Sequence, residues 1–559
     1  MSEEKEQKSI QVRALVAFAL SAVVLFLYQK FMVKPAPPRP EPPVESKAAP
    51  ASAPAAASPS APAASKPAPG SDAASAEQTY LIETDTYRVA FSNRGGVVTS
   101  WTLKAYRDDA RRPLELVNKA SAGEVGYPFS YRFRDKAPAG ADLNQALFRA
   151  EATPLEVTFR WSNGAVRALK SFRFSRKSYV VEVSSEVTQG GAATPHLLGW
   201  RGGFGDAAVS DAAQSVKTYY YDRAQGKTVR VEAKDAEKGP VVHAGNYSFA
   251  GIEDLFFTAA FLPSGVGPAL ELETSALESA TSREAKKQLF AGAAVGAGSQ
   301  NQLLVYVGPK ELDTLRRVRP ELAQLVDFGF FSFIAYPLFL MLNWTHRFVP
   351  NFGWTIVLVT IVINFLLFPL KLKSMKSMKK MQKLQPLIKH INDKYKGMGM
   401  RDPKRQDQNQ EVMDLYKKYG VNPLGGCLPM MLQMPFFFAF YTVLTVTIEM
   451  RHAGWLWVSD LSSPEAHWFK FLPILMIATQ FWYQKMTPAT TADPTQQKMM
   501  QFMPLMMGFF FYGLSSGLVL YWLTGNLVGI GQQWFINRLP EPDLDLDTSR
   551  KGKAKKQKS

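Results

Sequence analysis

The apolar and polar positions of this chain fall into three regimes. Near the start, Ala14 to Gln29 is an uncharged, mostly apolar run of 16 residues preceded by Lys5, Lys8 and Arg13. From about Thr79 to Val307 the pattern has period two, as in Tyr87–Phe91, Val97–Leu103, Leu155–Trp161 and Tyr179–Val187. Alternation of that kind predicts half-buried strands, and Asn163-Gly164 between two such runs is a strong hairpin signal. Beyond residue 310 the pattern turns helical and then strongly apolar. Phe348 to Leu370 is uncharged for 23 residues, Gly420 to Ile448 for 29, and Met499 to Asn537 for 39. A helix needs about 20 apolar residues to cross the hydrocarbon of a bilayer.

These runs predict a multi-pass α-helical membrane protein with six spans and a large all-β domain of sandwich type. The parts are an N-terminal signal-anchor span (1–34), a Pro/Ala/Ser linker (35–78) that cannot bury a core, the β domain (79–315), and an interfacial amphipathic helix (316–348) broken near Pro337. A helical core (349–540) follows, with spans at about 353–372, 427–448, 467–486, 499–513 and 516–537, a helical hairpin at 373–419, and a basic tail at 541–559. An anchor is favoured over a cleaved signal peptide because after the apolar core the next A-x-A comes only at Ala49–Ala51. The run Phe328–Thr345 competes as a true span. That choice would put residues 371–418, with 14 Lys/Arg against 5 Asp/Glu, on the outer side, against the positive-inside tendency. With six spans both termini and every basic segment fall inside, and residues 35–348 lie outside.

Composition changes this picture little. The 559 residues are 46% hydrophobic and carry a net charge of +17, and the mean hydropathy of −0.12 averages unlike halves. The positive charge suits nucleic acid, anionic lipid or ribosome contact, and its concentration in 371–418 and the tail makes location decide. Cys427 is the only cysteine, so no intrachain disulfide forms. The six histidines show no metal-ligand spacing, and no metal or cofactor is expected. Gly202-Gly203-Phe204-Gly205 and Gly292–Gly298 lack the form of phosphate loops and are expected to be ordinary loops.

The candidate chemistry is polar side chains inside apolar runs: Thr360 and Asn364, one helical turn apart; Gln433; Thr479 with Gln480; and Trp522, Thr524 and Asn526. Polar groups in hydrocarbon need partners. They serve either as glue between helices or as the lining of a wet cavity, and the residues alone leave both open. The absence of Asp, Glu, Lys or Arg at mid-span argues against an ion-coupled pump. The charged hairpin is either a solvated topology determinant or a docking site.

Three stretches, Asn422–Pro435 (NPLGGCLPMMLQMP), Gln484–Pro504 and Ser515–Leu527 (SSGLVLYWLTGNL), resemble those of the YidC/Oxa family of bacterial inner-membrane protein insertases, in the Gram-negative form with a large periplasmic domain. The resemblance covers the whole chain. It implies a periplasmic β-supersandwich, a five-helix insertase core and a hydrophilic groove open to the cytoplasm and lipid. It implies a chaperone-like insertase for nascent inner-membrane proteins, not an enzyme, working alone or beside the Sec translocon. The implied partners are nascent chains, the translocon, membrane lipids, and the ribosome and targeting machinery through 373–419 and the tail. Thr360, Gln433, Tyr521 and Trp522 match groove positions, and Asn364, Gln480 and Asn526 join them as candidate groove residues. The family usually has an arginine where this chain has Asn364. With no other basic residue expected at that depth, the groove is expected to work by hydration and hydrogen bonding, Asn364→Ala to be mild and Asn364→Arg to be tolerated. The alternatives weighed are a transporter, which would need inverted repeats or a mid-membrane ionisable site, and a glycan enzyme built on the β domain, which deleting residues 80–300 would disable.

Overall fold

Alternation along the strands builds the first of two units, Pro38–Val326. The computed structural model describes residues 71–108, 110–134, 136–206, 216–264, 269–280, 287–395, 404–422, 428–466, 469–488, 502–503, 505–506 and 508–540. The expected anchor, most of the linker, Cys427 and the basic tail lie outside the described residues. Three antiparallel sheets of eleven, five and four strands make up the β unit. In the strand Val166–Phe174, Val166, Ala168, Phe172 and Phe174 point inward. The hairpin that leads into it turns at Asn163-Gly164. The Asn163 side chain accepts from the Ala165 and Val166 amides at 3.1 and 2.7 Å, and Gly164 takes a φ of +90° that glycine adopts without strain. Strand Phe257–Pro263 is buried along its whole length because it lies inside the large sheet, between Gln300–Pro309 and Tyr247–Glu253.

Lys170 occupies one of the inward positions of Val166–Phe174 and is fully buried. Its ammonium donates to the carbonyls of Gly95, Gly96 and Phe129 at 3.0, 3.0 and 2.7 Å and lies 4.0 Å from the centre of the Tyr131 ring. Burial holds its pKa well below the usual lysine value. The glycine-rich stretch after Ala291 is not wholly the loop that was expected. Gly292 and Gly296 lie in the strand Lys287–Gly296. A Cβ at Gly292 would stand 2.5 Å from the Arg201 carbonyl oxygen, and one at Gly296 2.7 Å from that of His196. The neighbouring chain runs too close for any side chain, so these glycines mark close backbone approach.

Two short helices belong to this unit, α1 (Lys119–Val125) and α2 (Leu312–Val318). The second unit, Asp327 onward, is helical. Its helices are α3 (Ser332–His346), α4 (Phe352–Leu366), α5 (Phe368–Lys394), α6 (Lys404–Lys418), α7 (Leu428–Val446), α8 (Phe471–Met486) and α9 (Ser516–Arg538). Helix α3 corrects one expectation. It runs unbroken through Pro337, whose ring fixes a helical φ and removes a single N–H. Ala335, Leu338, Phe339 and Leu342 are buried, while Phe333, Leu340 and Trp344 are exposed.

The expected span 353–372 ends early, at Leu366. Pro369 offers no N–H to the Phe365 carbonyl, and its ring would crowd that carbonyl in a straight helix. The chain bends by 56° and continues as α5. Among the described residues no single helix is long and apolar enough to cross a membrane; α4 and α5 are so only together, across that bend, and Gln433–Val446 is a shorter apolar helix. Helix α9 has the length, 23 residues, but Thr524, Asn526, Gln532 and Gln533 dilute its apolar content. Of the expected span 499–513, residues 499–501, 504 and 507 lie outside the described residues.

Candidate functional site

Helix α9 is the element that gathers the polar side chains. Its start is held by loop carbonyls: the Ser516 and Gly517 amides donate to Ser463 and Leu461 at 2.8 and 2.9 Å, satisfying donors that a helix start leaves open. Small residues let it approach its neighbours. A Cβ at Gly525 would lie 4.0 Å from Asn364 Nδ2 on α4, and one at Gly529 3.1 Å from the Tyr483 ring on α8.

On the α8 side, the Trp522 indole N–H donates to Gln480 Oε1 at 3.1 Å. Asn526 Nδ2 donates to the Met476 carbonyl at 3.2 Å and to Thr479 Oγ1 at 3.3 Å. Tyr521 is buried and stacks on Phe440 of α7 with ring centres 4.1 Å apart. The Trp522 ring packs edge-on against Phe437. Asn526 and Thr524 are buried, whereas Gln480 and Trp522 are half-buried.

On the α4 side, Thr360 is buried and bonds its own helix, Oγ1 to the Ile356 carbonyl at 2.6 Å. Asn364 donates to the Thr360 carbonyl at 2.8 Å. Two groups not expected from the sequence complete this cluster. Gln532 of α9 donates through Nε2 to the Asn364 carbonyl at 3.0 Å, and Lys371 of α5 donates to Asn364 Oδ1 at 2.6 Å. The expectation that no basic residue stands near Asn364 is therefore overturned. The bend after Leu366 brings the first lysine of α5 back beside the last turn of α4. Lys371 lies seven residues after Asn364, on the far side of that bend. Gln532 lies six residues after Asn526, beyond the stretch singled out. Gln433 is half-buried on α7 and joins neither cluster.

The hairpin α5–α6 has its own packing. Met381, Leu384, Ile388 and Val421 form a buried cluster with Val412, Leu415 and Tyr416 around it. Met375 and Met378 instead pack with Ile536 of α9, and Lys379 Nζ donates to the Ile536 carbonyl at 2.8 Å, capping the last turn of α9. At the other end of the bundle, the buried Glu465 carboxylate accepts from the Leu472 amide at 2.9 Å and the Trp457 indole at 3.0 Å, capping α8.

Along the chain a β-rich domain precedes a bundle of apolar helices, with amides and an ammonium gathered around one of them. Residues 344–542 match the family described as 60Kd inner membrane protein, and residues 79–341 match the YidC periplasmic domain. The chain belongs to the YidC family of the inner membrane. It is 34% identical to the membrane protein insertase YidC of Syntrophus aciditrophicus, over 94% of this chain and 99% of that one. It is 32% identical to that of Ralstonia nicotianae, over 86% of each chain. Identity to the Wolinella succinogenes protein is 46%, over 42% of this chain and 43% of that one.

Proposed function

We propose that this chain is a membrane protein insertase that receives nascent segments in a hydrated groove around α9 and passes their apolar parts into the lipid of the inner membrane. The observation that carries this is the concentration of polar side chains from four helices around α9. Thr360, Asn364, Lys371, Gln480, Trp522, Asn526 and Gln532 converge there inside an otherwise apolar bundle. Relatives over most of the chain carry the insertase name. In this reading Thr360, Asn364, Gln433, Gln480, Tyr521, Trp522 and Asn526 line the groove. Water in the groove shortens the hydrocarbon path that a polar flank must cross, and burial of the client's apolar surface at about 25 cal/mol per Å² drives its release. No covalent bond is made or broken.

The topology that accompanies this reading has six spans, both termini and the hairpin in the cytoplasm, and residues 35–348 in the periplasm. The hairpin and basic tail meet the ribosome and targeting machinery, and the bundle works alone or beside the Sec translocon, in contact with membrane lipids.

Two measurements test it. Photo-crosslinkers at 360 and 522 should capture ribosome-held nascent chains. With Cys427 replaced, single cysteines at 360, 433 and 526 should react with membrane-impermeant reagents from the cytoplasmic side only. Unreactive positions would leave the same hydrogen bonds as glue between helices, and the groove would have no physical basis.

A further inference from the structure

The loop from Arg451 to Glu465, between α7 and α8, holds the starts of three helices at once. Asn351, the residue that caps α4, donates through Nδ2 to the Gly454 carbonyl at 3.0 Å. The Glu465 carboxylate accepts from the Leu472 amide in the first turn of α8. Ser516 of α9 donates to the Ser463 carbonyl through its amide at 2.8 Å and its hydroxyl at 2.9 Å, and the Gly517 amide donates to the Leu461 carbonyl. These three helices carry the polar groups of both clusters: Asn364 on α4, Thr479 and Gln480 on α8, Trp522 and Asn526 on α9.

The loop has internal bonds that keep its shape. Asp460 Oδ1 accepts from the His452 and Ser462 amides at 3.1 and 2.8 Å, and Trp455 and Val458 exchange backbone bonds at 2.8 Å. Leu461 is fully buried, and Trp455 lies over Gly353, where a Cβ would fall 2.2 Å from the indole. Glu465 stands at the junction of loop and helix and is 5% exposed. A buried carboxylate needs donors, and its two oxygens are divided between the parts it joins. Oε1 takes the Trp457 indole of the loop, and Oε2 takes the Leu472 amide of α8.

The opposite ends of α8 and α9 have a weaker tie, the exposed Asn537 donating to the Met486 carbonyl at 3.2 Å. The angle between the two helices is therefore set mainly where the loop binds them. Gln480 lies eight residues beyond Leu472, about 12 Å along α8. A tilt introduced at the start of a stiff helix is carried over that distance to the Trp522 and Asn526 contacts.

We propose that this loop is a clasp setting α8 against α9, and that Glu465 is the positioning residue that brings Gln480 and Thr479 within reach of Trp522 and Asn526. The proposal rests on the insertase reading only in that these pairs line the groove named there.

The test reads the geometry of the full chain in one detergent, with nitrogen-15 in the tryptophan indoles. Trp522→Phe identifies the Trp522 resonance. The expected result is that Glu465→Ala moves this resonance and speeds its indole exchange roughly fivefold, the equivalent of one hydrogen bond. Glu465→Gln keeps an acceptor for the Leu472 amide and restores it. Ser516→Pro is a second variant, acting from the α9 side. Ser515 has φ −58° and ψ 141°, which suits a following proline, and proline is accepted at the first helical position. The helix start is kept while both Ser516 donors are lost, and the same resonance should move. A Trp522 resonance unmoved in both Glu465→Ala and Ser516→Pro overturns the proposal. So does a change in Glu465→Ala shared equally by Trp344 of α3, which would reduce Glu465 to a contributor to general stability. Neither outcome bears on the insertase reading, which the nascent-chain crosslinks decide.

Discussion

The Trp522 indole donates its N–H to Gln480 Oε1 at 3.1 Å, joining α9 to α8 through two half-buried side chains. The ring and the hydrogen bond can be separated. Trp522→Phe keeps an aromatic ring against Phe437 and Phe511 and removes only the donor. The expected cost is about 0.6–1.5 kcal/mol, the range of single hydrogen bonds in membrane bundles. Trp522→Ala also removes the packing and should cost several times more. Thermal unfolding in one detergent, compared across the two variants, checks this. No measurable cost for Trp522→Phe would mean that the bond contributes nothing.

His196 should make the β unit sensitive to acid. Its Nδ1–H donates to the Thr194 carbonyl at 3.0 Å, so Nε2 accepts from the Ser185 hydroxyl at 2.8 Å, and the ring is neutral. Burial first, with the Lys170 charge as a smaller cause, lowers its pKa to about 4. The unfolded chain has an ordinary histidine near pH 6.5 and binds more protons between those values. Stability is therefore complete above about pH 6.5 and is lost as pH falls through 4, by about 3 kcal/mol for this one group. Amide exchange of the strand Val180–Gln189 in the full chain, followed from pH 7 to 4, should show the loss, and His196→Gln should flatten the dependence. A slope unchanged by the substitution would assign the acid sensitivity to other groups.

The sequence made the strands legible where alternation was regular and the turn residue was decisive, as at Asn163-Gly164. It failed where one feature has two physical causes. The glycines after Ala291 look like a loop, but a strand whose neighbour crosses within 3 Å of its Cβ positions needs the same residue. Lys170 sits in register with Val166, Ala168, Phe172 and Phe174, yet a lysine is assumed to face water until three carbonyls are found to meet it. In the bundle, the polar positions of α4, α8 and α9 were visible as exceptions in apolar runs. Lys371 was not, because a lysine just after an apolar run is ordinarily a topology signal. The bend at Leu367, which returns it to Asn364, follows from Pro369, a cue that apolar length concealed.

Gly205 should tolerate no side chain. Its φ is +87°, and a Cβ there would fall within 2 Å of the Asp254 carboxylate. That carboxylate is buried and accepts from the Asp206, Phe256 and Phe257 amides, so it cannot retreat without breaking three bonds. Gly205→Ala combines backbone strain with the displacement of a bonded buried charge, at about 3 kcal/mol or more. Protease resistance of the β unit within the full chain is the measurement. Resistance equal to that of the unaltered protein would contradict the close contact.

The hairpin should loosen without disturbing the bundle. Two apolar clusters share α5 but not their partners: Met375 and Met378 pack with Ile536 of α9, while Met381, Leu384 and Ile388 face α6. Leu384 is fully buried. Leu384→Ala leaves a cavity between α5 and α6 worth about 2–5 kcal/mol. The exposed Lys394–Glu411 pair is too weakly coupled to compensate, since surface ion pairs contribute little. Helix α6 is short and polar on its outer side, so it should lose much of its protection against amide exchange. Helix α9 should keep its own, because Met375, Met378 and the Lys379 cap on Ile536 are untouched. Equal loss of protection in α6 and α9 would show that the hairpin and the bundle open as one cooperative unit, and that the two clusters are not separable.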